Sequence, residues 1–168
     1  GIIVERVKRL VKNGYNEVVF TGVDITDFGK DLPGNPNLFQ LVKRVLNLVP
    51  NLKQLRLSSI DCGEIHDDFW PLLNEKRLMP HFHISLQSGN NLILKRMKRR
   101  HNRKNIIDFC KKVRSLREDV VFGADIIAGF PTETNEMFQD SLNLIKECNL
   151  THLHIFPYSI RQNTPAAK

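Results

Sequence analysis

The feature that most constrains this chain is a regular alternation between short apolar, strand-like runs and longer amphipathic, helix-like runs. Each interval between strands holds one stretch with the 3.6-residue period of a helix, and strand, helix, strand at a spacing of roughly thirty residues is the βαβ unit. Strands are predicted to begin near Glu17, Leu52, Phe82, Val120 and Thr151. Strands joined in this way pair in parallel through right-handed crossovers. The sequence therefore predicts an α/β fold.

Five helices are predicted from their apolar stripes and capping residues. Asn13 and Gly14 end the first, since glycine is favoured just past a helix C-terminus. Asn102 and Thr134 are the expected N-caps of the fourth and fifth. The residues expected to face inward are Val4, Val7, Leu10 and Val11; Leu38, Leu41, Val42, Val45 and Leu46; Phe69, Leu72 and Leu73; Ile106, Ile107, Phe109, Cys110 and Val113; and Phe138, Leu142 and Ile145. No residue pattern repeats from unit to unit, which argues against a solenoid.

Two of the predicted strands are polar along one side. The residues expected on that side are His81, His83, Ser85 and Gln87 of one strand, and His152, His154, Phe156 and Tyr158 of the last. A doubly wound sheet is covered by helices on both faces and should be apolar throughout. The polar side predicts instead a partial, open TIM-like β/α barrel, whose concave face surrounds a ligand or water.

Composition narrows the class of protein. The 168 residues carry a formal charge of +7, which fits a single soluble domain with a polyanionic partner. No apolar run is long enough for a transmembrane helix, and no signal peptide is indicated, so no membrane partner is expected. Cys62, Cys110 and Cys148 match neither a metal knuckle nor a disulfide framework. We expect reduced thiols in a cytoplasmic protein, with Cys110 and Cys148 as packing residues.

Polar residues follow every predicted strand, where the site of a parallel α/β fold lies. These segments are residues 21–24, 58–61, 87–89, 129–134 together with Asp125, and 157–159. Asp24, Asp125 and Glu133 are suited to an ammonium group or ribose hydroxyls, with helix capping as the alternative for Glu133 and Asp125. Neither a GxGxxG nor a P-loop motif is present, so a Rossmann or nucleoside triphosphate site is not supported.

Residues 95–104 form a basic segment with seven Lys or Arg in ten positions. Such a patch binds nucleic acid through release of counterions, and a solvated helix surface is the alternative. His81 and His83 point the same way, but without a third ligand they are interpreted as a hydrogen-bonded lining. No metal site is predicted.

Seven motifs follow one another along nearly the whole chain: TGVDI at 21–25, FG at 28–29, RLSSI at 56–60, HISLQSG at 83–89, KRM at 95–97, DIIAGFPTET at 125–134 and FPYSIRQNTPA at 156–166. Together they resemble the radical S-adenosylmethionine (SAM) methylthiotransferases. The variants at 58–60 and 156–159 are most similar to the branch that makes 2-methylthio-N6-threonylcarbamoyladenosine in tRNA. The resemblance implies a radical SAM type of partial barrel.

The resemblance also implies cofactors, a partner and site residues. Enzymes of this family use a 4Fe–4S cluster and SAM to remove hydrogen from C2 of the adenine at position 37, in the anticodon loop of tRNA. A second cluster helps to deliver sulfur, and another SAM supplies the methyl group. Carried over by motif, the cofactor-binding residues are Gly22, Val23, Asp24, Gln87, Ser88, Asp125, Gly129 and Tyr158. Arg99, Arg100 and Arg161 are expected to meet tRNA, and Asn163 stands where the family often has glycine.

The cluster-binding CxxxCxxC motif of the family is absent from this sequence. We therefore expect residues 1–168 to be the central part of the radical SAM core domain, lacking the first strand unit, the preceding cluster and sulfur domain and the following RNA-binding domain. The chain alone is expected to be inactive, because thiolates hold such clusters. The catalytic residues are not identified by the sequence. The alternatives are a methylthiotransferase acting on isopentenyladenosine or on a ribosomal protein, and a non-catalytic RNA-binding remnant.

Overall fold

The computed structural model describes residues 1–167. Six helices are present in this range: α1 Ile2–Lys12, α2 Leu38–Leu48, α3 Phe69–Leu72, α4 Asn91–Arg96, α5 Arg103–Leu116 and α6 Asn135–Glu147. Six strands accompany them: β1 Glu17–Phe20, β2 Gln54–Leu57, β3 Ser59–Ile60, β4 His81–Gln87, β5 Val121–Ala128 and β6 His152–Pro157. All five predicted strands are confirmed within about two residues, and the second is divided into β2 and β3. Across residues 1–167, no helix is both long and apolar enough to cross a bilayer.

The strands are parallel and lie in the order in which they occur in the chain. β1 pairs with β2, and β3, β4, β5 and β6 form a four-stranded sheet. Only Ser58 separates β2 from β3, and its backbone N–H donates to the carbonyl of Phe20 at 2.9 Å. The sheet thus changes direction at Ser58 while the strand order continues. Sequential parallel order is that of a β/α barrel, so the predicted α/β partial barrel is confirmed.

Aromatic side chains fill the space between the sheet and the outer helices. Phe69 packs against Phe82 with ring centroids 5.3 Å apart and against Phe109 at 5.8 Å, and Phe109 meets Phe122 of β5 at 5.9 Å. The predicted inward face of α5 is confirmed, since Ile106, Phe109, Cys110 and Val113 are all buried.

Polar caps define where the helices begin. Asn102 accepts from the N–H of Asn105 in a capping box, and Thr134 accepts from the N–H of Met137 at 3.3 Å, as predicted. The short helix α4, capped by Asn90, was not predicted. The basic segment begins in the last turn of α4, with Lys95 and Arg96, and then leaves the helix in a turn where Lys98 has a φ of 56°.

The prediction for the inward face of α6 is wrong in detail. Phe138, Leu142 and Ile145 are only half-buried, whereas Ser141 and Leu144 are fully buried. The reason is a close approach to Gly89, at which an added Cβ would lie 2.5 Å from the Cα of Ser141. Only small residues fit this contact, so the helix presents its serine to the sheet.

Candidate functional site

Polar side chains from three neighbouring strands meet on the face of the sheet that the outer helices leave uncovered. His83 Nε2 lies 2.8 Å from Asp125 Oδ1, and His154 Nδ1 lies 3.2 Å from the same oxygen. One layer earlier, His81 and His152 are in edge contact, with ring centroids 5.4 Å apart. We call these five residues the histidine layer. The prediction that both strands present their histidines to one common face is confirmed.

Gly123 of β5 makes room for the histidine layer. A Cβ at this position would lie 2.5 Å from His83 Nδ1 and 3.3 Å from His81 Nε2. Side chains from β4 therefore lean across β5 toward β6 without a steric barrier. Burial is the largest cause that lowers the pKa of His81, and the charges of His152 and Arg56 act in the same direction.

A cavity of about 340 Å³ lies at the carboxyl ends of β4, β5 and β6, and we call it the rim cavity. Its lining includes Gln87, Ile127, Phe130, Tyr158 and Arg161. Phe130 and Tyr158 form an edge contact with centroids 5.3 Å apart, which gives the cavity an aromatic wall. The Tyr158 hydroxyl donates to the carbonyl of Ala166 at 2.9 Å and closes the last loop over the cavity. In that loop Asn163 has a φ of 65°, the conformation that favours glycine.

The loop after β5 is held by an acidic side chain. Glu133 Oε2 accepts from the N–H of Gly129 at 2.7 Å, while Glu133 Oε1 is buried without a hydrogen-bond partner among residues 1–167. Helix capping was the alternative interpretation of Glu133, but Thr134 caps α6 instead. Gly129 has a φ of 74° and no atom within 4 Å of an added Cβ, so its backbone is open to a ligand.

The side chain of Ser88 faces neither the histidine layer nor the rim cavity. The residue is fully buried, and its hydroxyl lies 3.5 Å from the Ser141 hydroxyl and accepts from the N–H of Asn90 at 3.2 Å. Its hydroxyl therefore stabilises the turn between β4 and α4 and contacts α6. Among the predicted cofactor residues, Gln87, Gly129 and Tyr158 lie at the rim, and Asp125 lies one layer below it.

The loop after β1 is tied to the basic segment. Arg100 bonds to Asp24 at 3.2 Å and to Asp27 at 3.1 Å, and it also pairs with Glu64. Asp24 additionally accepts from the Thr26 hydroxyl at 2.7 Å. The predicted contact residues Gly22, Val23 and Asp24 thus lie on a loop whose carboxylate is already paired.

Arg99 is also used inside the molecule. It donates to Asp61 Oδ2 at 2.9 Å and to the carbonyl of Ser85 at 3.0 Å. Asp61 Oδ1 lies 2.9 Å from His101 Nδ1, and His101 Nε2 lies 3.2 Å from the carbonyl of Leu86. Both ring nitrogens of His101 thus lie within hydrogen-bond distance of an oxygen atom. Burial alone would raise the pKa of Asp61, but hydrogen bonds from His101 and Gly63 and the charge of Arg99 hold it below its usual value.

These pairs revise the expected tRNA contacts. The acidic partners of Arg99 and Arg100 come from loops far away in sequence, where local charge patterning gave no signal. Within residues 1–167, Lys95, Lys98 and Arg161 make no side-chain hydrogen bond or ion pair and remain available to an anion. Contact of Arg99, Arg100 and Arg161 with tRNA stays a prediction, and Arg99 and Arg100 already have partners within the molecule.

The three cysteines carry free thiols in the interior of the protein. Cys62, Cys110 and Cys148 are all buried. Burial, the largest cause, raises the pKa of Cys62 to about 12, and a hydrogen bond with Cys148 together with burial raises the pKa of Cys110. The thiolate is therefore disfavoured at Cys62 and Cys110, whereas the hydrogen bond with Cys110 lowers the pKa of Cys148. The prediction that Cys110 and Cys148 are packing residues is confirmed.

Comparison with known proteins identifies relatives over the whole chain. The family model described as Radical SAM superfamily matches residues 2–145. The threonylcarbamoyladenosine tRNA methylthiotransferase MtaB of Rickettsia prowazekii is 61% identical over 100% of this chain and 40% of its own length. The protein of the same name from Bacillus subtilis is 35% identical over 99% of this chain and 37% of its own length. A tRNA-2-methylthio-N(6)-dimethylallyladenosine synthase of Clostridium botulinum is also 35% identical, with the same coverage.

Solved structures agree on the fold. Coproporphyrinogen III oxidase (HemN) from Escherichia coli, a radical SAM enzyme, superposes with a TM-score of 0.69 at 17% identity, over 98% of this chain and 38% of that one. The radical S-adenosylmethionine methyltransferase TsrM from Kitasatospora setae also reaches 0.69, at 15% identity, over 92% of this chain and 30% of that one. The chain thus spans about 40% or less of the length of these relatives.

Proposed function

The chain belongs to the radical SAM superfamily, and we propose that it is the central part of the core domain of a tRNA methylthiotransferase. The proposed enzyme adds a methylthio group to C2 of N6-threonylcarbamoyladenosine at position 37 of tRNA. The observation that carries this proposal is the 61% identity, over the full length of the chain, to a relative named for that nucleoside.

The rim cavity supports binding of SAM, which when bound supplies both a methyl group and, on reduction, the radical that attacks adenine C2. Gln87 and Tyr158, which line this cavity, would hold the cofactor, together with Gly129, which precedes Phe130 of the aromatic wall. The buried, unpartnered Glu133 Oε1 and the open backbone of Gly129 fit a ligand with ammonium and hydroxyl groups. Asp24 remains a proposed contact for the ammonium group, although Arg100 already pairs with it.

The charge of the rim supports the proposed substrate. Threonylcarbamoyladenosine carries a carboxylate that dimethylallyladenosine lacks, and a carboxylate is best recognised by arginine or lysine. Arg161 and Lys98 both line the rim cavity beside its aromatic wall. An aromatic wall with nearby cations suits an adenine that bears an anionic substituent.

Because the CxxxCxxC motif is absent from this sequence, we propose that the chain has no radical activity by itself. Anaerobic reconstitution with iron and sulfide should leave the chain without the thiolate-to-iron absorbance of a 4Fe–4S cluster. A stoichiometric cluster on the isolated chain would overturn this part of the proposal.

Mass spectrometry of tRNA nucleosides tests the function as a whole. Deletion of the complete gene should abolish 2-methylthio-N6-threonylcarbamoyladenosine and leave the unmethylthiolated nucleoside in its place. Complementation with the complete gene should restore the product, Arg161→Ala should restore markedly less, and Lys104→Ala, on the outer surface of α5, should restore it fully.

The nearest alternative substrate is favoured by a single observation, the relative from Clostridium botulinum at 35% identity. If the deletion removes the methylthio group from dimethylallyladenosine instead, that alternative replaces the proposal. Unchanged levels of both nucleosides would exclude both.

A further inference from the structure

The histidine layer has the composition and geometry of a metal site. The donor atoms of His83, Asp125 and His154 lie within 4.8 Å of one another. Both histidines direct a ring nitrogen at the same carboxylate oxygen, at 2.8 and 3.2 Å. Ligand atoms around a tetrahedral zinc ion lie about 3.3 Å apart when each bond is about 2.0–2.1 Å long. The two nitrogen–carboxylate distances therefore need to change by only a few tenths of an ångström for the donors to share an ion, and the two histidine nitrogens lie within 4.8 Å of each other.

From this geometry we propose that His83, Asp125 and His154 bind one divalent transition-metal ion of the zinc class. Two imidazoles and one carboxylate are a ligand set that borderline cations prefer, and three protein ligands leave a position open for water or another molecule. The inference goes beyond the proposed function, since the site lies one layer below the rim cavity and uses no cysteine.

The surroundings show that these side chains are held in place. The absence of a side chain at Gly123 leaves room for the His83 ring, and the parallel register sets Asp125 directly beside His154. The side chains of His83 and Asp125 are 11% and 22% exposed, whereas that of His154 is 63% exposed. Two ligands are thus positioned within the structure, and the third is on the side from which an ion can enter.

A second histidine–carboxylate cluster lacks this capacity. Asp61, Cys62 and His101 also lie close together and buried. However, both nitrogens of His101 face acceptors, and Arg99 neutralises Asp61. A metal ion there would have to displace the Arg99 guanidinium from Asp61. The metal site is therefore assigned to His83, Asp125 and His154 alone.

Cobalt and zinc binding to the untagged chain test the proposal. After treatment with EDTA, the chain should bind one Co²⁺ with visible d–d absorption, and Zn²⁺ should compete for it in a calorimetric titration. His154→Ala and Asp125→Asn should each weaken binding at least about tenfold, as losses around metal sites commonly do. His152→Ala is the matched control, because it lies on the same side of β6 without touching Asp125, and it should bind as the wild type does.

Two results would overturn the proposal. One is no stoichiometric binding by the wild-type chain, and the other is wild-type metal affinity in both His154→Ala and Asp125→Asn. If a variant unfolds by circular dichroism, X-ray absorption of the zinc-loaded wild type decides instead. Scattering from two imidazoles with oxygen ligands supports the site, and a sulfur shell excludes it.

Discussion

Two clusters in this molecule contain the same residue types, histidine and aspartate, but differ in how completely their polar atoms are hydrogen-bonded. Around Asp61, both carboxylate oxygens are occupied, because Arg99, His101 and the N–H of Gly63 all bond to them. Around Asp125, the two histidines share one oxygen and each keeps a second ring nitrogen without a hydrogen bond among residues 1–167. The first cluster is closed and ties loops together, and the second is open to a ligand. The comparison teaches that spare bonding capacity, rather than residue type, separates a binding site from a structural bond.

The strongest way to break this comparison is to remove the carboxylate of the closed cluster. Asp61→Ala removes the carboxylate that Arg99 and the buried His101 share and leaves them only backbone carbonyl partners, and we expect a loss of about 3–5 kcal/mol in the free energy of unfolding. Asp125→Ala should cost far less, because His154 is largely exposed and can be solvated. Urea denaturation of both variants measures the difference. Equal losses would show that the two clusters do not differ in the way described.

Filling the space under the open cluster should have the next largest effect. Gly123→Ala places a methyl group 2.5 Å from His83 Nδ1, and we expect a loss of about 1–3 kcal/mol through overpacking, together with weaker cobalt binding. Gly34→Ala is a control for the backbone effect of replacing glycine by alanine, since no atom lies within 4 Å of its added Cβ. Its φ of 80° strains an alanine, so any loss in this variant reflects the backbone and not overpacking. A Gly123→Ala variant with unchanged stability and metal affinity would contradict the assigned role of this glycine.

Acid should weaken the closed cluster. The pKa of Asp61 is lower in the folded protein than in the unfolded chain, so the unfolded state binds more protons as the pH falls. The stability from this carboxylate is fully present above its unfolded pKa, near 3.9, and is lost as the pH falls from there through the folded pKa. The urea midpoint should decline below about pH 4 more steeply in the wild type than in Asp61→Asn. If the urea midpoints of the two proteins decline in parallel with pH, Asp61 does not cause the loss of stability in acid.

The smallest expected effect distinguishes free from paired cations in the basic segment. Lys98→Ala should weaken tRNA binding by a few fold and lower the slope of log affinity against log salt by about one, as expected for a lost phosphate contact. Arg99→Ala should instead lower stability, because it breaks the bond to Asp61. Filter binding from low to moderate salt, with Lys104→Ala as the control, separates the two. A salt slope that is unchanged in Lys98→Ala but reduced in Arg99→Ala would favour Arg99 over Lys98 as the residue that contacts the tRNA phosphate.

Local pattern was sufficient for the positions of the five predicted strands and for part of the site, but not for α4. The alternation at His81 and His83 predicted a polar face, and the caps at Asn102 and Thr134 were found where they were expected. Local pattern was insufficient for Ser88, whose hydroxyl lies in the HISLQSG motif but turns into the protein to meet Ser141. It was likewise insufficient for Glu133, where only the structure shows the bond to Gly129.

The sequence by itself determined the parallel α/β barrel, the family and the identity of the polar groups on each strand, because periodicity and motif order depend on neighbours along the chain. Only the tertiary structure decided which charges are paired. Asp61 and Arg99 are 38 positions apart, and His83 and Asp125 are 42 apart. Contacts over such separations depend on strand register and loop path, and these are set by packing of the whole sheet.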